Sequence, residues 1–369
     1  MPAHPAQLSE RDLRRIARHA AAADSTGWLH PVQQALLHRR GWLRMLAPRA
    51  LGGAELALPD VVRLEESIAA IDGSMGWTLT LCAGAGWFAG FLPPSLAREV
   101  LGTKRVCLAG SGAPTGYADL DGDGYRIDGH WDYASGAPMA TYFTFNAILR
   151  EHGRPLLDAA GQPRIKSFVV PAALVEIVPN WRSIGLRATA SHGYRVRGRW
   201  IHRDHGFDID PDHAREQGPL YRFPFLAFAF VTLGANVAGM AGHFIELAAD
   251  CMAHRRNRLS AARDQPLIEV PAVQAVLASC RARFDDARAR FYERLDASWA
   301  RVLAEGRVPE QDASQLQALS MAWVAASRHA VDTLYPYCGL YAARVDSDIN
   351  RVWRDFHTAS QHALLMPHA

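Results

Sequence analysis

Apolar residues recur at three- and four-residue spacing through residues 8–101. Leu13, Ile16 and Ala17 are followed by Val32, Leu36, Leu37, Leu43 and Leu46. This is the pattern of helices that each cover a core with one face. Pro48, Gly52-Gly53 and Pro59 divide the region into separate helices. From Arg105 to about Asp210 short runs rich in Val, Ile, Tyr, Phe and Trp alternate with Asp-Gly and Gly-Gln-Pro turns. They predict strands over 106–109, 125–130, 142–149, 165–170 and 194–201, with a hairpin turn at 121–124. Helical spacing returns at Tyr221. Val273, Val276, Cys280, Phe284, Ala287, Phe291 and Leu295 form one stripe opposite an arginine-rich face, and Pro271 suits the first turn of that helix. A further helix follows Pro309, and a last one covers 349–365.

The chain therefore divides into an α-helical domain over 1–104, a β domain over 105–215 and a second helical domain over 216–369. A sheet set between two helical blocks makes an α+β architecture with clefts where the blocks meet, and the chemistry is sought there.

Residues 73–97 and 223–245 lack Asp, Glu, Lys and Arg and reach the length of a membrane span. Five glycines and Pro93-Pro94 interrupt the first, while Asn236, His243 and small residues mark the second, so both are expected to be central helices of a soluble protein. At 369 residues, 49% hydrophobic and 21% charged, the composition is globular. The net charge is +3, and only Lys104 and Lys166 are lysines. Arginines interleaved with Asp and Glu exclude a nucleic-acid face. Five cysteines without a CxxC pair argue against a disulfide framework or zinc site and fit a reducing cytoplasm. The polar N-terminus lacks the apolar core of a secretion signal.

Several strings carry candidate chemistry. PRALGG at 48–53 precedes Glu65, Glu66 and Asp72-Gly73-Ser74. AGSGAPTGYADLDGDGYRIDGHWDYASGAPMATYF occupies 109–143. Its Gly-rich start, with Ala109 and Ser111, lets backbone groups approach a flat polar ring closely, although an ordinary surface loop reads the same way. Ser135 lies in the Tyr-Ala-Ser-Gly turn at 133–136, GLRATASH follows at 185–192, LIEVPAVQAVLA at 267–278, and RVWRDFHTASQH ends the series at 351–362. Trp77, Trp87, Phe88 and Phe91 either wall an apolar pocket or pack a core. His357 and His362, five residues apart on a helix, form no two-histidine metal face. No G-x-S-x-G elbow is present, and a metal site is not expected.

In this order the strings resemble the acyl-CoA dehydrogenase superfamily over nearly the whole chain, and the 109–143 hairpin is similar to that of its two-component monooxygenase branch. The resemblance implies an N-terminal helical domain, a central β-sandwich or barrel, a C-terminal four-helix bundle, a homotetramer, and flavin held between the β domain and the bundle. Ser135 aligns with the hydroxyl that bonds flavin N5 in relatives, where it can donate or accept. Ser191 or Thr189 would reach the ring or ribityl chain, Thr189 being as readily strand packing. Arg255, Arg256 and Arg258 stand where relatives hold the flavin phosphate, or at a solvated helix end.

Many dehydrogenases of the superfamily follow their Arg-Asp pair with Tyr-Glu-Gly-Thr, whose glutamate takes the proton alpha to a thioester. Here the window reads Gln361-His362-Ala363. An imidazole suits exchange with a phenol or peroxide near neutrality, so His362 points to oxygen chemistry. The resemblance then implies reduced FMN, alternatively FAD, supplied by a separate NAD(P)H-dependent reductase. A C4a-hydroperoxyflavin formed with O2 would hydroxylate an aromatic or apolar small molecule walled by Trp77, Trp87 and Phe91. The alternatives are an FAD-dependent acyl-CoA dehydrogenase using Glu246 as base, and a non-catalytic binding protein of the same fold.

Overall fold

The protein is described from a computed structural model covering residues 8–256 and 265–367. Arg258 lies outside the described residues.

The first helical block holds α1 (Glu10–Thr26), α2 (Pro31–Arg39), α3 (Leu58–Ile71), α4 (Gly73–Trp87) and α5 (Pro94–Gly102). Local chemistry sets the ends. Ser9 and Asp12 form a reciprocal cap on α1, and Gly27 stops it in the left-handed region. Asp72 separates α3 from α4 and accepts the Met75 N–H, so the two helices meet at one buried residue.

The β domain contains β1 (Leu108–Asp121), β2 (Gly124–Ala134), β3 (Tyr142–Glu151), β4 (Arg154–Pro155), β5 (Ile165–Pro171), β6 (Glu176–Val178), β7 (His192–His202) and β8 (Gly206–Phe207). They form one hydrogen-bonded sheet in the order β6-β7-β2-β1-β3-β5-β8, with β4 on the edge of β3. Asp121 pairs with Gly124 to close the expected hairpin, and Gly122 supplies the positive φ of its turn. Residues 109–115 are not the turn expected from their glycines. They belong to β1, which runs parallel to β3. A Cβ on Gly110 would lie 2.1 Å from Thr144 O, so glycine lets this strand enter the ladder instead of leaving it. The surplus residues between Ser111 and Gly116 bulge outward. Trp131, Phe143, Phe145, Phe168 and Tyr194 fill the core beneath the sheet.

The C-terminal block comprises α6 (Phe225–His254), α7 (Pro271–Glu305), α8 (Glu310–Ala342) and α9 (Asp348–Ala359). α6 is long and apolar enough to cross a membrane, but 78% of its most apolar window is buried, packed by α3, α8 and α9. It is the axis of the bundle. The last helix stops at Ala359 instead of reaching Leu365. Arg328 of α8 donates to Ser360 O at 2.5 Å and Leu365 O at 2.9 Å, and His362 N turns back to Ala359 O. Drawing those two carbonyls onto one guanidinium folds the chain into a tight turn.

Candidate functional site

α4 connects the two halves of the site. Trp77 meets His362 edge-on, with ring centroids 5.8 Å apart. The adjacent Thr78, with Cys82 one turn on, faces the 135–136 turn. A Cβ on Gly136 would stand 2.9 Å from Cys82 Sγ and 3.3 Å from Thr78 Cγ2. The Cys82 thiol also donates to Ser135 O at 3.4 Å. Consecutive residues of one helix thus touch the imidazole on one side and the serine turn on the other.

Behind Ser135 lies a file of buried hydroxyls. Ser135 Oγ is 2.8 Å from Ser191 Oγ, Ser191 Oγ is 2.6 Å from Thr189 Oγ1, and Thr189 Oγ1 donates to Leu186 O at 2.8 Å. All three side chains are buried. The backbone carrying them is unusual: Tyr133, Leu186 and Ala190 all have positive φ without being glycine. Such conformations persist only where the surroundings impose them, and they gather at functional sites.

α9 anchors the Leu186 part of this backbone. Asp355 accepts the Leu186 N–H at 2.5 Å, and Arg354 donates to Ile184 O at 2.5 Å. Arg354 also pairs with Asp24 of α1 through two bonds, at 2.8 and 3.3 Å, and reaches Asn350 at 2.8 Å. Gly185 sits between these anchors, where a Cβ would fall 2.0 Å from Arg354 O. The loop therefore lies directly on the helix backbone. Burial pushes the Asp355 carboxyl up to about 7, helped by Asp72 and Asp24 and opposed by the Leu186 N–H and Arg351.

His362, no longer on a helix, caps the following turn by accepting the Leu364 N–H on Nδ1 at 3.3 Å. Burial lowers its pKa below the ordinary 6.5, so it is neutral near pH 7. With Nδ1 accepting, the ring hydrogen is assigned to Nε2.

Other anticipated residues fall elsewhere. Trp87 is fully buried, donates to Leu220 O at 3.1 Å and stacks on Phe228. Ten residues beyond Trp77 on α4, it lies about 15 Å along the helix. Phe91 packs edge-on against Trp87 and is also buried. Both belong to the aromatic core between α4, α6 and Tyr221, not to a pocket with Trp77. Ala109 turns its methyl into the β core, leaving only its backbone toward a ligand, while Ser111 is half-buried beside the β1 bulge. Arg255 donates to Tyr337 O at 2.8 Å and lies against Gly339, where α8 kinks, and Arg256 bridges by backbone to Pro266. Glu246, the alternative base, is exposed on α6.

The 185–192 string could be read from its glycine and hydroxyls; its clamp could not. Asp24 is far away in sequence, and nothing in α1 marks it as the partner of Arg354. Arg328 and Cys82 were likewise without a local signal.

Residues 231–367 match the family described as acyl-CoA dehydrogenase, C-terminal domain. A pigment production hydroxylase of Rhodococcus sp. (strain ATCC 21145) is 29% identical over 339 residues, covering 88% of this chain and 83% of the relative. The oxygenase component of FADH2-dependent resorcinol hydroxylase from Rhizobium sp. (strain MTP-10005) is 25% identical over 345 residues, covering 89% and 82%. The crystal structure of the HsaA monooxygenase from M. tuberculosis superposes with a TM-score of 0.87 at 22% identity, covering 97% of this chain and 92% of that one. The C-terminal helical block thus matches the acyl-CoA dehydrogenase family model, and the chain as a whole shares the fold of the HsaA monooxygenase.

The groups gathered here suit the polar edge of a flavin. Gly136 lets its turn pack directly on Cys82 and Thr78 of α4, and Ser135 offers a hydroxyl oxygen from that rigid support. After Arg354-Asp355, residues 356–363 hold no carboxylate, and His362 is the titratable group that the fold brings to Trp77.

Proposed function

We propose that this protein is the oxygenase component of a two-component flavin-dependent monooxygenase that hydroxylates an aromatic small molecule. The observation that carries the reading is a neutral, half-buried imidazole against Trp77, beside a hydroxyl file, where a thioester dehydrogenase of this fold needs a carboxylate. The names of the hydroxylase and monooxygenase relatives support it. Reduced flavin, when bound, supplies the activation of O2. The resorcinol hydroxylase is named as FADH2-dependent, which favours reduced FAD over the reduced FMN anticipated from sequence. A separate NAD(P)H-dependent reductase would deliver it.

The chain's own residues orient, exchange protons and exclude water. Ser135 holds the ring edge, His362 takes or returns the substrate proton, and Trp77 sets the imidazole plane and offers an aromatic wall. Apolar faces of α4 and α6 keep water from the site. The same reading includes a cytoplasmic homotetramer. Five free cysteines suit a reducing compartment, and exposed Leu340, Tyr341 and Val345 beyond the α8 kink offer an apolar patch for another subunit.

The test is to mix the protein, anaerobically loaded with FADH2, with oxygenated buffer. A marked delay in the oxidised-flavin absorbance, relative to free FADH2, is expected. Reoxidation as fast as in free solution, together with reduction of protein-bound FAD by an acyl-CoA, would overturn the reading in favour of a dehydrogenase.

A further inference from the structure

The hydroxyl file has a direction. Its three oxygen–oxygen contacts, from Ser135 to Ser191, Ser191 to Thr189 and Thr189 to Leu186 O, measure 2.8, 2.6 and 2.8 Å. Oxygens this close need a hydrogen between them. Three hydroxyls supply three hydrogens, and the carbonyl at the end supplies none. Thr189 must therefore donate to Leu186 O. Its oxygen is left to accept from Ser191, and Ser191 in turn accepts from Ser135. The hydrogen of Ser135 points inward, and what it presents to a ligand is a lone pair.

Leu186 O is fixed from both sides. It also receives the Trp181 indole N–H at 3.0 Å, and the Leu186 N–H is held by Asp355 at 2.5 Å. Reversing the file would leave two oxygens facing each other at Leu186 with no hydrogen between them, inside a buried site where no water can relieve the frustrated pair.

We propose that Thr189 and Ser191 set the redox-state preference of the flavin site by making Ser135 an obligate acceptor. This rests on the flavin reading above. Reduced flavin carries a hydrogen on N5 and can donate to that lone pair. Oxidised flavin carries a lone pair there and is opposed by it. The site is thereby biased to take reduced flavin and release the oxidised form, as a carrier shared with a separate reductase requires. Thr189 and Ser191 are positioning residues acting through Ser135.

The experiment compares the affinities of oxidised FAD, by fluorescence titration, and of FADH2, by anaerobic ultrafiltration, with FMN in parallel. The unaltered protein is expected to prefer the reduced form by roughly tenfold, the scale of one buried hydrogen bond gained or frustrated. Ser191→Ala frees the Ser135 hydrogen to turn outward. Thr189→Val removes the acceptor of Ser191, which then donates to Ser135 with the same result. Both variants should bind oxidised FAD several-fold more tightly and lose most of the preference, whereas Thr189→Ser should keep it. A gain in oxidised-flavin affinity is not what a damaged fold produces. An unchanged ratio in both variants, or equal weakening of both forms, overturns the proposal, as does an unaltered protein with no preference. Binding of neither form by the unaltered protein overturns the flavin reading itself and this inference with it.

Discussion

Replacing Glu65 by glutamine should flatten part of the pH dependence of stability, by an amount that follows from its surroundings. Glu65 lies on α3, wholly buried, and neither carboxyl oxygen meets a donor at hydrogen-bonding geometry. Across from it, Thr80 of α4 accepts from Asn236 of α6 at 3.1 Å. Burial pushes the Glu65 carboxyl from its ordinary 4.5 to about 8, the Thr80 hydroxyl pulling slightly the other way. The folded state therefore holds this proton more tightly than the unfolded chain. Its contribution to stability is fully present below pH 4.5 and is lost progressively as pH rises to about 8. At about 1.4 kcal/mol per pH unit, the loss between pH 5 and pH 8 is roughly 4 kcal/mol. For a chain of this size that is roughly 5 °C in Tm. Calorimetry of the parent and Glu65→Gln at both pH values isolates the effect, because the other titrating groups are common to both. The variant's Tm relative to the parent should rise by that amount from pH 5 to pH 8. An equal difference at the two pH values would show that Glu65 titrates normally and would refute the argument from burial.

Four further outcomes follow from the site. His362→Ala should bind reduced FAD normally yet lose hydroxylation roughly 10²–10⁴-fold, measured as product formed per flavin oxidised. In the parent, activity should fall only as pH drops below 6.5, since burial lowers the pKa and the neutral imidazole is the working form. Arg354→Met strands Asp24, a pair whose side chains are each only 11% exposed, and should destabilise the protein by about 3–5 kcal/mol in denaturant titrations. Gly185→Ala forces the 184–186 loop off α9, where the new methyl would meet Arg354 O at 2.0 Å. It should cost about 1–3 kcal/mol and weaken flavin binding, and an unchanged flavin titration would show that the clamp does not support the hydroxyl file.

What the sequence determined by itself was the order of elements and which side chains were candidates for the chemistry. Helical periodicity around a β-rich middle, the Asp-Gly hairpin at 121–124 and Pro271 at a helix start are encoded in residues a few positions apart, so local spacing suffices to read them. Ser135, Ser191, Thr189 and His362 stood out for the same reason, each in a distinctive string. Tertiary structure decided everything that depends on which distant residues meet. Trp77 and Trp87 share one helix and one chemistry, but only Trp77 has His362 beside it, while Trp87 was drawn into the core by Phe228 and Tyr221. The end of α9 was set by Arg328 on another helix, which no periodicity within 349–365 could reveal. β1 ran through its glycines because β3 was there to pair with them. The direction of the hydroxyl file depends on the Leu186 carbonyl, which accepts from Thr189 and the Trp181 indole, in a residue whose N–H is held by Asp355, 169 positions away. A hydroxyl's chemistry is written in its type, but whether it donates or accepts is fixed only by the neighbours that folding brings to it.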